Sequence, residues 1–187
     1  MFKKETPHKG RVLVSEPSLQ DFYFSKSVVL LVDHNEKEGT VGLILNKPIY
    51  LKLNEVVKEF PDIDFPLYLG GPVHPERLFY VHTLGDKIPG SIQILKDVFW
   101  GGEIEKIIEL IGLNLIHPSQ LKFFIGYSGW DAGQLNREMG EKSWIVTQGS
   151  RECVMATKPE ELWGNILKTL GNEYAIWANF PADIRLN

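Results

Sequence analysis

The residue types best suited to chemistry cluster late in the chain, where Gly126, Tyr127, Ser128, Gly129 and Trp130 are followed by Gly133, Gln134 and Glu138. A glycine-rich connection lets the backbone approach a bound molecule closely, and the free N–H groups of a helix that follows would face an anion or a carbonyl. The same residues fit a structural role equally well, with the glycines permitting positive φ in a tight connection while Tyr127 and Trp130 fill the core. Ser128 sits where a strand gives way to a helix, as a nucleophile would, but the nucleophile elbow requires Gly-x-Ser-x-Gly. Here glycine follows the serine directly and Trp130 stands where the second glycine belongs, so no catalytic residue is assigned.

His34 and His82 each end a strand, with Asp33 and Asn46 as candidate neighbours, and a histidine beside a carboxylate can serve as general base. The plainer alternative is a lone histidine satisfied by backbone groups. The histidines at 8, 34, 74, 82 and 117 show neither H-x-H nor H-E-x-x-H spacing, and one cysteine makes no zinc cluster, so no metal is expected. Cys153, next to Glu152 and Val154, reads as a small buried hydrophobe. Walker A and dinucleotide glycine patterns are missing, so no nucleotide cofactor is expected.

These residues must be carried by elements legible from periodicity. Arg11–Ser15, Ser27–Asp33 and Thr40–Leu45 read as strands, the last two as a hairpin around the polar His34–Gly39 turn that Asn46, Lys47 and Pro48 terminate. Leu53, Val56, Val57 and Phe60 keep helical spacing until Pro61. Leu67–Leu69 runs as a strand into Gly70, Gly71 and Pro72, and Leu78–Leu84 and Ser91–Leu95 flank a turn at Gly85–Gly90. Ile104, Ile107, Ile108 and Ile111 mark a helix that Gly112 would cap. Leu121–Ile125 is a strand, Gly126–Gly133 a connection, and Gln134–Met139 a short helix with Asp131 as its N-cap. Ser143–Thr147 and Glu152–Ala156 flank Gln148, Gly149 and Ser150 as a hairpin would. Thr157 and Glu160 form a capping box for a helix through Leu162, Trp163, Ile166, Leu167 and Leu170, closed by Gly171. Ala175–Ala178 is a candidate last strand. Hairpins without regular βαβ alternation imply an α+β fold with a mainly antiparallel or mixed sheet.

The 187 residues, 43% of them hydrophobic, suffice for one sizeable core in one domain, with residues 1–9 and 179–187 as tails. A polar N-terminus, a single cysteine and apolar runs no longer than Val28–Val32 point to a soluble, cytoplasmic protein. A net charge of −4 disfavours a phosphate-backbone partner.

The Gly126–Trp130 run with Gly133, Gln134, Leu135 and Glu138 resembles the AlgH/YqgE family of bacterial proteins. Val29–His34 with Gly39, Gly42, Leu43, Ile44, Asn46 and Pro48 resembles that family's first hairpin. Leu69–Val73 with His82 resembles its Gly-Gly-Pro-Val turn and the strand after it. The likeness spans about Gly10 to Ala178 and departs at Trp100, Gly101, Gly102 and in the tail. It implies a bifurcated sheet wrapped into a pseudo-barrel with helices packed outside, an association with gene regulation, and no settled reaction. The expectation is therefore a regulatory module that binds a small molecule or protein through His34, Asn46, Gly70, Gly71, His82 and the Gly126–Glu138 residues, without a cofactor. Its rivals are a hydrolase or transferase with His34 or His82 as base, and a DNA-binding regulator. Ligand, partner and oligomeric state stay open.

Overall fold

The computed structural model describes residues 5–62 and 64–179. Among the described residues ten strands, the last of them β10 (Trp144–Gln148), form a sheet in the order β10-β1-β2-β3-β9-β6-β8-β7, with β4 and β5 branching from it. Val, Ile and Leu crowd β1 (Arg11–Ser15), β2 (Val28–Asn35) and β3 (Gly39–Ile44) because these strands are buried on both faces. Val12, Val14, Val28 and Leu30 point to one cluster, which also holds Leu162, Trp163 and Leu167 of helix α5 (Pro159–Leu170). Leu13, Val29, Leu31 and Ile44 point to the other face, where they cluster with Trp130 and with Leu135, the latter on α3 (Gln134–Gly140). Trp163 also donates its indole N–H to Ser15 O at 3.0 Å, which ties α5 to β1.

The fork lies at β9 (Leu121–Trp130). Its later half, Ser128–Trp130, pairs antiparallel with β3, while Phe123–Ile125 pairs parallel with β5 (Leu67–Leu69). Its other edge pairs antiparallel with β6 (Val73–His82), beyond which lie β8 (Val98–Trp100) and β7 (Ile92–Leu95). The short β4 (Pro48–Ile49) pairs with β5. The sheet is curled into a half-barrel, in keeping with the α+β expectation. Helix α2 (Ile104–Gly112) covers the β6–β9 side through Ile107 and Ile111, packed with Leu121 and Phe123.

Several expectations need correction. Gly126–Trp130 is not a connection but the second half of β9, because each of its backbone edges finds a strand to pair with. Strand β6 begins at Val73 rather than Leu78, and β8 was not anticipated. Glu152–Ala156 is not a strand: Ser150 accepts from Cys153 N and caps the single turn α4 (Arg151–Val154). Asp131 does not cap α3, whose N-cap is Gly133 at φ 73. Helix α5 starts at Pro159 after Lys158 without a side-chain cap, so the Thr157–Glu160 box does not form. Helix α1 (Leu53–Val56) is one turn, since Val57 turns extended. Gly112 lies inside α2, whose C-cap is Leu113. Ala175–Ala178 is not a strand but continues α6 (Asn172–Ala175) into a 3-10 turn at Trp177–Asn179. Residues 1–4 and 180–187 of the expected tails lie outside the described residues.

Candidate functional site

Strand β9 positions most of the residues singled out by type, but it sends them to different places. Gly70 and Gly71 lay their backbone across it. A Cβ on Gly70 would meet Gly126 O at 2.1 Å, and one on Gly126 would meet Gly71 O at 2.6 Å, so the crossing admits only glycine. Ser128 is fully buried, and its hydroxyl donates to Gly70 O at 3.0 Å, which fixes the crossing rather than presenting a nucleophile. Gly129 pairs with Val41 of β3.

Trp130, Gln134 and Glu138 do meet, around a carboxylate. Glu138 Oε2 accepts from the indoles of Trp130 at 2.9 Å and Trp144 at 2.7 Å, and Oε1 accepts from Gln134 Nε2 at 2.8 Å. Gln134 Oε1 in turn accepts from Asp131 N at 3.0 Å, so the amide closes the start of its own helix. Phe24 and Trp144 pack on Trp130, completing a cluster whose polar atoms face one another.

The two histidines make different contacts, one with a threonine hydroxyl and one with backbone groups. His34 Nδ1 pairs with the Thr40 hydroxyl at 2.7 Å, and Asp33 accepts from the His34 backbone rather than its ring. Asn46 bonds Val28 N and Lys26 O, bracing the β2–β3 hairpin. His82 is fully buried, stacked on Phe99, with Nε2 on Gly101 O and Nδ1 accepting from Leu84 N. Burial pushes its pKa below the ordinary histidine value, with the Gly101 bond opposing, so a neutral ring bonded at both nitrogens fits the packing.

Tyr127 reaches an open cleft. Opposite Gly126 the pairing of β6 with β9 jumps from Val73↔Tyr127 to Leu78↔Ile125, and His74, Pro75, Glu76 and Arg77 are extruded as a bulge. His74 takes φ 50, a costly conformation for a non-glycine residue and one often found where a side chain is being aimed. Its ring lies 5.9 Å from that of Tyr127, and its Nδ1 sits 2.9 Å from Glu76. Below it Phe79 meets Tyr127 edge-on at 5.5 Å and stacks on Trp100 at 5.9 Å. These rings form one wall of a cleft of about 520 Å³, whose other lining includes Val32, Val41 and Ile92, with Lys9, Asp33 and Arg77 as charged groups. Aromatic walls with few charged groups are what small-molecule sites are made of. A larger groove runs beside Asn46 and Trp163, with Glu160, Lys168 and Ala178 among its other lining residues.

Of the residues anticipated, only Tyr127 lines this cleft, while Gly70, Gly71 and Gly126 build the bulge beneath it. His74, Arg77, Phe79 and Trp100 were missed. The usable signal was the His-Pro-Glu-Arg run set directly before an apolar strand, where a bulge can carry polar residues. Among the described residues no group of three His, Cys, Asp or Glu side chains gathers as a metal site would, and no helix is long and apolar enough to cross a membrane.

Comparison with known proteins supplies the context. Residues 12–175 match the family described as AlgH-like. A UPF0301 protein of Chlorobium limicola is 40% identical over 172 residues, covering 92% of this chain and 91% of that protein. One from Bacteroides thetaiotaomicron is 42% identical over 176 residues, covering 94% and 89%. The solution structure of the AlgH protein from Pseudomonas aeruginosa superposes with a TM-score of 0.73 at 26% identity, over 97% of this chain and all of that one. A crystal structure of a Corynebacterium diphtheriae protein gives 0.77 at 22% identity over 96% and 95%, a likeness of fold alone.

Proposed function

Starting from the fact that this chain belongs to the AlgH-like family, whose matched relatives carry no activity in their names, we propose that it is a binding module for a planar, negatively charged small molecule. The observation that carries the reading is the strained bulge that brings His74 and Arg77 to a cleft walled by Tyr127, Phe79 and Trp100. Rings of this kind stack on a flat ligand, and Arg77 and Lys9 supply the cationic rim for its charge. Asp33 offers an acceptor for a hydroxyl or amino group. Binding rather than turnover suits the other candidates: the Ser128 hydroxyl is spent on Gly70 O, and His82 is sealed behind Phe99 and Gly101. A regulatory role would then follow from ligand-dependent contact with a protein partner, since a charge of −4 argues against direct DNA contact. The same reading takes the chain as one cytoplasmic domain, its one partly buried thiol kept free by a reducing compartment.

Trp100 provides the readout. Aromatic carboxylates and nucleoside monophosphates, titrated against aliphatic carboxylates of equal charge, should change tryptophan emission at micromolar to millimolar concentration, and Arg77→Ala should weaken the effect about tenfold or more. If planar and aliphatic anions act alike, or Arg77→Ala binds as wild type, the cleft is not the site.

A further inference from the structure

Away from this cleft, β9 carries a buried ionisable group that the binding reading does not use. Lys122 stands in the apolar run Leu121–Phe124 and is only 3% exposed. Its Nζ donates to Ala156 O at 2.8 Å and lies 4.5 Å from the centre of the Tyr68 ring. Both of those residues, with Lys122 itself, line a separate groove of about 260 Å³ between Pro66 and the His117–Ser119 turn on one side and Met155–Thr157 on the other.

The surroundings of this lysine are unlike those of an ordinary ion pair. Among the described residues the one ionisable neighbour that acts on it is Cys153, whose own thiol burial pushes up to about 11, leaving it uncharged at neutral pH. The Tyr68 phenol is also raised, by burial and then by Glu160, and stays neutral. On the groove wall His117 Nδ1 is engaged by Ser119. With no carboxylate to hold the charge, burial lowers the Lys122 pKa to about 8. A site built to bind an anion would keep its cation charged. Here burial leaves a larger share of Nζ as free amine, the nucleophilic form, than an exposed lysine has at the same pH.

We propose that the Lys122 groove captures small aldehydes or ketones as an imine on Nζ. The amine lone pair attacks the carbonyl carbon and forms the C–N bond, while the C=O π pair moves to oxygen. A proton passes from nitrogen to that oxygen, and loss of water leaves C=N, with no oxidant or reductant consumed. Where Nζ starts as the ammonium it first releases its proton to solvent, and the imine, a weaker base than the amine, leaves less charge to desolvate. Ser119 and Thr157 bring hydroxyls to the wall that can bond the oxygen of the intermediate carbinolamine.

The test uses the unmodified full chain, limiting propanal and cyanoborohydride at pH 7.5, with each lysine followed by peptide mass spectrometry. At that pH a group titrating near 8 holds roughly 200-fold more free amine than an exposed lysine near 10.4. Even with restricted access, Lys122 should be alkylated at least about tenfold faster than the exposed Lys37 and Lys142, and its rate should level off above pH 8 to 9 while theirs keep rising. The advantage should vanish in urea. Labelling of Lys122 at or below the rate of the exposed lysines overturns the proposal, and so does an advantage that survives unfolding.

Discussion

Strand β9 is bordered by two charged groups, one half-buried and one buried, and they are treated in opposite ways. Near its C-terminal end the half-buried Glu138 carboxylate accepts from two indoles and an amide, so the cost of partly desolvating it is offset by charge-assisted bonds. Near the N-terminal end the Lys122 ammonium has a carbonyl and a tyrosine ring, and no counter-charge. The conspicuous motif surrounds the satisfied group, whereas the other sits in an unremarkable apolar run. Completeness of hydrogen bonding separates a residue that holds the fold from one held in readiness, and motif density does not. Between the two, Tyr127 faces the cleft.

The sharpest way to break the contrast is to remove the satisfied charge. Glu138→Ala leaves two indole N–H groups and the Gln134 amide without their acceptor, at about 1 kcal/mol or more each where buried, so a loss of about 3 kcal/mol is expected in urea denaturation. A loss below about 1 kcal/mol would show that solvent already reaches the cluster, and that it is no more structural than the Lys122 groove.

That cluster also shows how much the amino-acid sequence disclosed. The periodicity of Val and Leu in β1–β3 and the stripes of α2 and α5 were readable because burial on a fixed face imposes them. The Gly126–Trp130 segment was misread because glycines that usually announce a turn here clear room for Gly70 and Gly71 to cross a continuing strand, a contact between segments far apart in the chain. Glu152–Ala156 looked like a strand by residue type, yet the Ser150 cap outweighed those preferences. The bulge was hidden for a related reason. Nothing local requires His74 to take φ 50; the mismatch between β6 and β9 does. Thus the residues that build the cleft were partly visible, as Gly70, Gly71, Gly126 and Tyr127, while those that line it emerged only with the register.

The second test works on the unsatisfied charge and carries the opposite sign. A fall from 10.5 to about 8 corresponds to about 3 kcal/mol of destabilisation while the lysine is charged in both states. Below pH 8 folded and unfolded chains are both protonated and the penalty is complete. Between 8 and 10.5 the unfolded chain retains a proton the folded chain has released, so wild-type stability gains with rising pH from this group. Lys122→Met should therefore stabilise the protein at pH 7 by about 2 kcal/mol, once the lost bond to Ala156 O is deducted, and the advantage should shrink steadily towards pH 10.5. A destabilised variant at pH 7 would mean that the lysine is as well compensated as Glu138, and the contrast would collapse.

The smallest expected effect discriminates most finely, because it asks whether the motif has any part in binding. Gln134 spans Asp131 N and Glu138 Oε1, both local to the start of α3. In Gln134→Ala the two indoles still occupy the other Glu138 oxygen, and water can replace the amide at the exposed Asp131 N–H, so less than about 1 kcal/mol of stability should be lost. Gln134 is not among the residues lining the Tyr127 cleft, and the affinity of any planar anion that reports through Trp100 should match wild type within about twofold. The paired measurement matters more than either half. A stable Gln134→Ala protein with weakened binding would place recognition at the motif after all, and would mean that the satisfied end of β9 is the functional one. Unchanged affinity beside a small thermal shift would instead leave Gln134 as a cap on its own helix, with recognition carried by the bulge on the neighbouring strand.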